Sequence, residues 1–209
     1  MLALDLLKPS MRRKFAVLLY PGCIFFEVAL AAETLAKSLE PWFLTPDGED
    51  HPSSMGGVIR ASGSYDDLSG LDVAAVLIPG GDPGSIIPPG RATAALRAAC
   101  DRGAVMAGIC AGGLVMASAG LLKGVRATHN YTAEFTSAEV VAFIAPHWDG
   151  VVHERSDVVV DGRFITAMPW AYAKFAAAVA QSVGLMNEAE AASFVSYHRD
   201  GRLGRAASA

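Results

Sequence analysis

The sequence has few cysteines, no long apolar run and no excess of basic residues. Its three cysteines, Cys23, Cys100 and Cys110, lack the short spacing of a metal site. Because the set is odd and sparse, we expect a reducing, cytoplasmic compartment rather than a disulfide framework. No apolar stretch reaches the ~20 residues of a membrane span, so no membrane partner is expected. A formal net charge of −4 gives no electrostatic basis for binding nucleic acid.

The histidines do not predict a metal site. His147, Asp149, His153 and Glu154 cluster in sequence, but their spacing fits no tight ligand pair. Alternation along an extended chain sends His147 and His153 to unrelated places. We therefore expect no metal, and we expect no other cofactor.

The chain is long enough to form one large domain. It has 209 residues, of which 52% are hydrophobic, and no linker-like stretch divides it. We predict a flexible tail over residues 1–13, a single domain over residues 14–200 and a frayed tail over residues 201–209. The first of these tails lacks an apolar core segment, so no secretory signal is expected.

Strand-like and helix-like patterns alternate along the first half of the chain. Continuous apolar runs are typical of strands covered on both faces, and they occur at residues 15–20, 73–78 and 104–109. Helical patterns occur at residues 25–39 and 92–101, and residues 57–61 are predicted to form one arm of a small hairpin or an edge strand. The alternation predicts an α/β fold, a three-layer sandwich with a mostly parallel sheet and helices on both faces.

Shorter elements are predicted in the second half. A strand at residues 124–128 leads to His129, and Asp161-Gly162 separates two strand-like runs, which is a strong hairpin signal. Helices are predicted at residues 132–143, 172–183 and 188–198.

One stretch has the pattern of a strand, a tight turn and a helix, with Cys110 at the turn. Gly108 and Gly112 stand two residues before and after it, where side chains would crowd a sharp bend. This pattern is typical of a nucleophile elbow, in which the turn lifts a reactive side chain out of the sheet. A helix beginning just after Cys110 would favour the thiolate and lower the thiol pKa. A buried packing cysteine remains the alternative from this stretch alone.

Four chemically active groups follow strands at the same predicted edge of the sheet, where ligands bind in such folds. They are Glu27, the amides of Gly80-Gly81, the thiol of Cys110 and the imidazole of His129. Together they would form a nucleophilic site. Each also has a structural alternative: Glu27 as an acid favoured by a helix dipole, Gly80-Gly81 as a simple turn, and His129 as a surface or capping residue.

The motifs resemble those of the ThiJ/PfpI superfamily, which shares the class I glutamine amidotransferase-like fold. They occur in the family's order over residues 14–184 and are specific for the superfamily, although the fold hosts several activities. The matching segments are Tyr20-Pro-Gly-Cys-Ile-Phe-Phe-Glu27, Leu77-Ile-Pro-Gly-Gly81, Ala107-Gly-Ile-Cys-Ala-Gly112, Ala119-Gly-Leu-Leu-Lys-Gly124 with Arg126-Ala-Thr-His129, and Val160-Asp-Gly-Arg-Phe-Ile-Thr-Ala167.

The resemblance implies a role for each candidate residue. Cys110 is similar to the family's elbow nucleophile, and Glu27 to the acid that bonds its sulfur and is usually protonated. Gly81 matches the glycine whose N–H, together with that of Ala111, faces an oxyanion. His129 falls where many members place a histidine near the thiolate. Most relatives are dimers with a site near the interface, which implies a homodimer.

Two departures from the family pattern narrow the activity. Peptidase-like members carry a histidine directly after the cysteine, where this chain has Ala111. Amidotransferases carry a His-x-Glu pair where this chain has Met168-Pro-Trp-Ala171. A protease and an ammonia-transferring enzyme are therefore disfavoured. Members that act on glyoxals, or are reported as deglycases, share the Glu, Cys and His set, and isonitrile hydratases use a similar cysteine with an acid, usually aspartate, at the Glu27 position.

The leading hypothesis is a cysteine-dependent enzyme that acts on a small electrophilic substrate. Cys110 would attack the electrophilic carbon, Glu27 would move a proton, and the Gly81 and Ala111 amides would hold the developing charge. A glyoxalase- or deglycase-like reaction and an isonitrile hydratase-like reaction are the two concrete forms. The alternative is a non-catalytic redox-sensing or stress-response protein with an oxidisable Cys110. A ligand-binding regulator ranks low, because no helix-turn-helix pattern accompanies the domain.

Overall fold

The computed structural model describes residues 12–201. The two predicted tails therefore lie outside the described residues, apart from residues 12 and 13 at one end and Gly201 at the other.

Strands and helices alternate along the chain, as the sequence pattern predicts for its longer elements. The strands are β1 (Lys14–Leu18), β2 (Cys23–Ile24), β3 (Glu40–Thr45), β4 (Gly63–Ser64), β5 (Val73–Ile78), β6 (Gly80–Gly81), β7 (Val105–Ile109), β8 (Arg126–Ala127), β9 (Val152–His153), β10 (Val158–Asp161) and β11 (Phe164–Ala167). The helices are α1 (Phe26–Ala36), α2 (Tyr65–Leu68), α3 (Thr93–Asp101), α4 (Ala111–Ser118), α5 (Ala138–Ile144), α6 (Tyr172–Ser182) and α7 (Glu188–Asp200). Short 3₁₀ helices span Pro83–Ser85 and Ala145–Trp148.

Seven strands form the central sheet, in the order β10-β11-β7-β5-β1-β3-β4. All neighbours in it pair in parallel except β10 and β11. These two form the antiparallel hairpin predicted at Asp161-Gly162. The chain passes from β1 to β3 on one side and then returns to β5 on the other, so the topological switch point lies at β1 and β5. Ligands bind at such points, outside the carboxyl ends of the strands.

Helices cover both faces of the sheet. On one face α1 packs against α6, and α7 packs on α6. The successive crossovers from β3 to β5 and β7 run in one direction along the sheet, so their right-handedness places α2, α3 and the elbow helix α4 on the other face. The predicted three-layer α/β architecture is confirmed.

The central strands form the core. β5 and β7 are buried along their whole length, and β1 is buried from Phe15 onwards. Burial on both faces explains why these strands are continuous apolar runs rather than alternating ones. In the part of the chain that the structure describes, no helix has both the length and the apolar character needed to cross a membrane.

Two predicted helices have different ends. The helix predicted at residues 132–143 begins only at Ala138, because the Ser137 hydroxyl accepts the N–H of Val140 and caps it there. Turns occupy the residues before Ser137. Helix α1 ends at Ala36 rather than at residue 39. The carbonyl of Leu35 accepts the N–H groups of both Ser38 and Leu39, which tightens the last turn.

Residues 57–61 do not form a strand at the edge of the sheet. Val58 instead makes an isolated antiparallel bridge to Pro52, and the N–H of Ser53 donates to the carbonyl of Gly57 in the turn between them, so the hairpin alternative is met at Val58 alone. The edge position is taken by β4, whose Gly63 pairs with Leu44 of β3.

Candidate active site

Cys110 stands at the turn between β7 and α4. Its φ is +54°, and among residues 12–201 it is the only residue other than glycine with a positive φ. Its N–H donates to the carbonyl of Ala167 at 2.9 Å, and its carbonyl accepts from the N–H of Gly113 at 3.2 Å. Such strained backbone persists only where its surroundings fix it, and it clusters at functional sites. The predicted elbow is therefore present in the structure.

Gly108 and Gly112 make this turn possible. A Cβ on Gly108 would lie 2.6 Å from the carbonyl carbon of Gly112, and a Cβ on Gly112 would run into the backbone carbonyl of Ile78. The backbones of β5, β7 and α4 thus meet at the elbow without side chains between them. This close approach explains the glycine spacing around Cys110.

Glu27 lies in the first turn of α1 with only 3% of its surface exposed. Its Oε2 accepts the N–H of Gly80 at 2.8 Å. Burial raises the pKa of the carboxyl, while the hydrogen bonds that it accepts from the N–H of Gly80 and from the Cys110 thiol lower it by less. Glu27 therefore retains a proton more readily than an exposed glutamate does.

Gly80 separates the acid from the thiol. It belongs to β6, which pairs antiparallel with β2. A Cβ on Gly80 would lie 2.7 Å from Sγ of Cys110 and would also strike the Glu27 carboxyl. The absence of a side chain at Gly80 is what allows Glu27 and Cys110 to come together.

Burial and the neighbouring Glu27 carboxylate raise the pKa of the Cys110 thiol to about 12. The backbone N–H groups of Ala111 and Gly81 act in the opposite direction and lower it. The prediction of a lowered pKa is therefore wrong in its net direction, because it considered only the helix N-terminus. The charge of Glu27 disappears when that carboxyl is protonated. The thiolate is thus favoured only while Glu27 holds a proton.

His129 follows β8 and is buried, with 8% of its surface exposed. Its Nδ1 accepts the N–H of Tyr131 at 3.2 Å, which leaves the proton of the neutral ring on Nε2. The ring stacks on Trp148 with centroids 4.0 Å apart and lies 4.4 Å from the ring of His153. Burial, and then the charge of His153, lower the pKa of His129 to about 4.

The structure brings Glu27, Gly81, Cys110 and Ala111 together, whereas His129 belongs to an adjoining aromatic stack. Neither the described contacts of His129 nor the groups that shift the pKa of Cys110 link these two side chains. Among residues 12–201, no three His, Cys, Asp or Glu side chains lie close enough to hold a metal ion.

Sequence reasoning missed three neighbours of the site. His153 reaches His129 because β8 pairs in parallel with β9, with Ala127 opposite His153. No local pattern signals the pairing of two such short strands. Trp148 ends a 3₁₀ helix. Tyr131 lines a cleft together with Gly81, and burial, followed by the charge of Cys110, raises the pKa of its phenol.

Two clefts adjoin these groups. A cleft of about 590 Å³ includes Gly81 and Tyr131 in its lining, together with His147 and mostly apolar side chains. A cleft of about 750 Å³ is lined by His129, His153, Met168 and Trp170, among others. Met168 and Trp170 belong to the segment that departs from the amidotransferase pattern, so these two residues of that segment form part of a cleft wall.

The sequence model of the DJ-1/PfpI family matches residues 13–182, and the chain belongs to that family. This confirms the resemblance to the ThiJ/PfpI superfamily. The family includes cysteine-dependent enzymes and redox-sensing proteins. No protein with curated annotation matches the sequence.

Solved structures of the superfamily share the fold. A DJ-1 superfamily protein from Agrobacterium tumefaciens is 28% identical with a TM-score of 0.74, over 90% of this chain and 100% of its own. DJ-1beta from Drosophila melanogaster is 22% identical with a TM-score of 0.71, over 90% of this chain and 97% of its own. Oxidised DJ-1 from Toxoplasma gondii is 20% identical with a TM-score of 0.70, over 89% of this chain and 97% of its own.

Proposed function

We propose that this protein is an enzyme that uses Cys110 as a nucleophile on a small electrophilic carbon. One observation carries the proposal: the Glu27 carboxyl lies beside the Cys110 thiol across Gly80, and the N–H groups of Gly81 and Ala111 face the same sulfur. A nucleophile, a proton carrier and two oxyanion donors therefore lie at one point. This combination suits addition of a thiolate to a polarised carbon.

For a 2-oxoaldehyde, the thiolate of Cys110 adds to the aldehyde carbon and forms a hemithioacetal oxyanion, which the two amides stabilise. Glu27 gives its proton to the keto oxygen, and the resulting carboxylate takes the proton from the first carbon and delivers it to the neighbouring keto carbon. The first carbon is thereby oxidised to a thioester and the second is reduced to an alcohol. Water then cleaves the thioester, releasing a 2-hydroxy acid and the thiol, so the net reaction adds one water.

For an isonitrile, the thiolate adds to the terminal carbon while a proton from Glu27 goes to the same carbon, giving a thioimidate. Water attacks this carbon, the thiol leaves with a proton, and an N-substituted formamide is released. Both reactions consume one water and return Cys110 and Glu27 to their starting state. The same groups serve each, so the site supports both substrates as variants of one chemistry.

His129 acts in this proposal as a neutral group. With a pKa of about 4 its ring carries no positive charge near neutral pH. It would serve as a hydrogen-bond donor through Nε2 to substrate in the adjoining cleft, rather than as a proton donor to the leaving group.

We further propose a cytoplasmic homodimer; the free state of Cys23, Cys100 and Cys110 supports a reducing compartment.

Steady-state assays test the proposal with methylglyoxal, phenylglyoxal and an alkyl isonitrile as substrates. We expect turnover of at least one by the wild type, loss of at least about a hundredfold in Glu27→Gln and no activity in Cys110→Ser. Cys100→Ser is the matched control, because Cys100 lies on α3 away from the site, and it should retain full activity. No turnover of any of the three substrates, with the Cys110 thiol intact by mass spectrometry, would contradict the proposal.

A redox-sensing or stress-response role is the second candidate. Cys110 is partly exposed, and the amides that face its sulfur could hydrogen-bond the oxygens of an oxidised form. Peroxide would oxidise the thiolate to a sulfenate and a second peroxide to a sulfinate, each step releasing water. The Toxoplasma gondii relative has been crystallised in an oxidised form. Mass spectrometry after mild peroxide discriminates: two added oxygens at Cys110, without turnover of any substrate, would favour this role.

A further inference from the structure

The cleft of about 590 Å³ adjoins the candidate site through Gly81. Gly81 lies in its lining, and the N–H of Gly81 faces Sγ of Cys110. Tyr131 also lines the cleft, and the Cys110 charge is among the causes that raise the pKa of its phenol. Leu114, one turn after Cys110 on the elbow helix, contributes to the wall. A molecule bound to Cys110 therefore has this cleft beside it.

The walls of this cleft are largely apolar. Ile87 and two prolines, Pro83 and Pro88, form the side that follows β6. The opposite side is one face of α5, where Val140, Phe143 and Ile144 recur at helical spacing. Asp82 is the acidic residue of the lining, and its Oδ1 is occupied by the N–H of Gly84 at 2.9 Å.

The size of the cleft exceeds what a methyl group can fill. Clefts for small organic ligands span roughly 300–1,000 Å³ and are mostly apolar, with a few polar groups that fix orientation. Gly81, Asp82, Tyr131 and His147 are the polar groups of this kind here. An apolar wall gains binding energy only when the ligand brings apolar surface to it.

We infer that this cleft holds the substituent of the substrate, and that the substrates are electrophiles with an aromatic or branched aliphatic group, such as aryl glyoxals or bulky isonitriles. The inference rests on the proposed function, which it narrows. Methylglyoxal would leave the cleft occupied by water. A carboxylate-bearing substituent would find no cation in the lining.

The test compares two alkylating probes of Cys110, iodoacetamide and N-phenyliodoacetamide. In each reaction the thiolate displaces iodide, and only the substituent differs. Rates are divided by those of a free thiol, N-acetylcysteine, with the same probes. We expect the phenyl probe to be favoured by about tenfold in the wild type, because part of its ring is buried on binding.

Val140→Asp should reduce this preference severalfold by placing a charge in the apolar wall. The variant is expected to fold, because position 140 lies in the first turn of α5, where an acidic side chain is favoured by the helix dipole. Val160→Asp is the matched control, since Val140 and Val160 are 40% and 42% exposed and Val160 lies on β10, outside the cleft. It should keep the wild-type preference.

Alkylation and turnover separate the two ideas. One outcome is a phenyl preference that Val140→Asp abolishes, with no turnover of phenylglyoxal or methylglyoxal. It supports the inference that the cleft holds the substituent and counts against the proposed function. Turnover of methylglyoxal, combined with equal corrected rates for the two probes, overturns the inference and leaves the proposed function standing. Equal effects of Val140→Asp and Val160→Asp also overturn it.

Discussion

Cys110 occupies a backbone conformation that favours glycine, with φ +54° and ψ −125°. Two backbone hydrogen bonds hold this conformation: the N–H of Cys110 donates to the carbonyl of Ala167, and the carbonyl of Cys110 accepts the N–H of Gly113. A nucleophile is thus retained at a position where the fold alone would prefer no side chain. The backbone strain and the identity of the residue together indicate selection for chemistry rather than for stability.

Replacing Cys110 by glycine should therefore give a more stable protein than replacing it by alanine. We expect a difference of about 1 kcal/mol in the free energy of unfolding, because relief of strain outweighs the greater entropy of glycine in the unfolded chain. Urea denaturation measures it. Glycine and alanine compared at position 119, where the wild-type residue is alanine with φ −76°, should show the opposite order of stability. Ala119→Gly should be less stable than the wild type. The same order at both positions would contradict the argument.

The electrostatic influence of Glu27 on Cys110 can be measured through the reactivity of the thiol. Removing the Glu27 charge in Glu27→Gln should lower the pKa of Cys110, because that charge is one of the causes that raise it. We expect several-fold faster alkylation by iodoacetamide at pH 8 and a rate profile shifted to lower pH. Glu33→Gln is the control, since Glu33 lies exposed on the same helix. An unchanged profile would mean that Glu27 already holds the proton beside a thiolate in the wild type.

The residues of this site were predictable from the sequence to different degrees. Cys110, Glu27 and Gly81 each follow a buried strand that is visible as an apolar run, so the topology alone brings them to one edge of the sheet. The direction of the thiol pKa was not predictable, because it depends on how deeply Sγ lies and how close Glu27 stands. Both are properties of packing across Gly80, whose role appears only once three strands are assembled.

At the scale of elements, His129 is held by pieces that are far apart in the chain. Trp148 of the 3₁₀ helix and His153 of β9 form the stack around its ring. Each piece is too short to give a periodic signal, and Trp148 follows a helix whose start depends on a single cap, Ser137. Sequence reasoning therefore placed the residue but not its partners.

This stack predicts a loss of stability in acid. The folded-state pKa of His129 is about 4, below the ordinary 6.5. The unfolded chain thus binds more protons between these values, and stability rises with pH from about 4 to 6.5. The full effect is roughly 3 kcal/mol, lost as the pH falls through this window. Denaturation of His129→Phe, which keeps an aromatic ring but cannot titrate, should show a flatter dependence over the same range.

The exposed His198 on α7 provides the control for that measurement. His198→Phe should retain the wild-type slope between pH 4 and 6.5. If the slopes of wild type and His129→Phe coincide, a different group controls stability in this range. The comparison uses slopes rather than absolute stabilities, so a general loss of packing in His129→Phe does not affect it.

For the whole molecule, the hydrophobic pattern was sufficient to predict the α/β sandwich. The apolar runs of the buried strands β1, β5 and β7 are visible in the sequence, as is the Asp161-Gly162 turn of the hairpin. Contacts at the surface do not change these patterns. The edges of the molecule behave differently. Residues 57–61 do not take the edge position of the sheet. An edge strand needs few apolar residues, so Gly63 and Ser64 of β4, which do take it, give no pattern to detect.

The surface beside the site predicts a homodimer. Phe26 is 59% exposed directly before Glu27, and its ring contacts Tyr172 at 5.2 Å between centroids. Trp170 and Phe135 form a second exposed pair, with centroids 5.4 Å apart. Large exposed aromatic side chains mark interaction surfaces, and two-fold dimers are the commonest assembly that covers them.

Sedimentation equilibrium should give twice the 21.8 kDa mass of the chain. Phe26→Glu should weaken this association by at least about tenfold, because it places a charge in the interface, whereas Met55→Glu, at another exposed apolar position, should not. A wild-type protein that stays at the mass of one chain at high concentration would contradict the prediction.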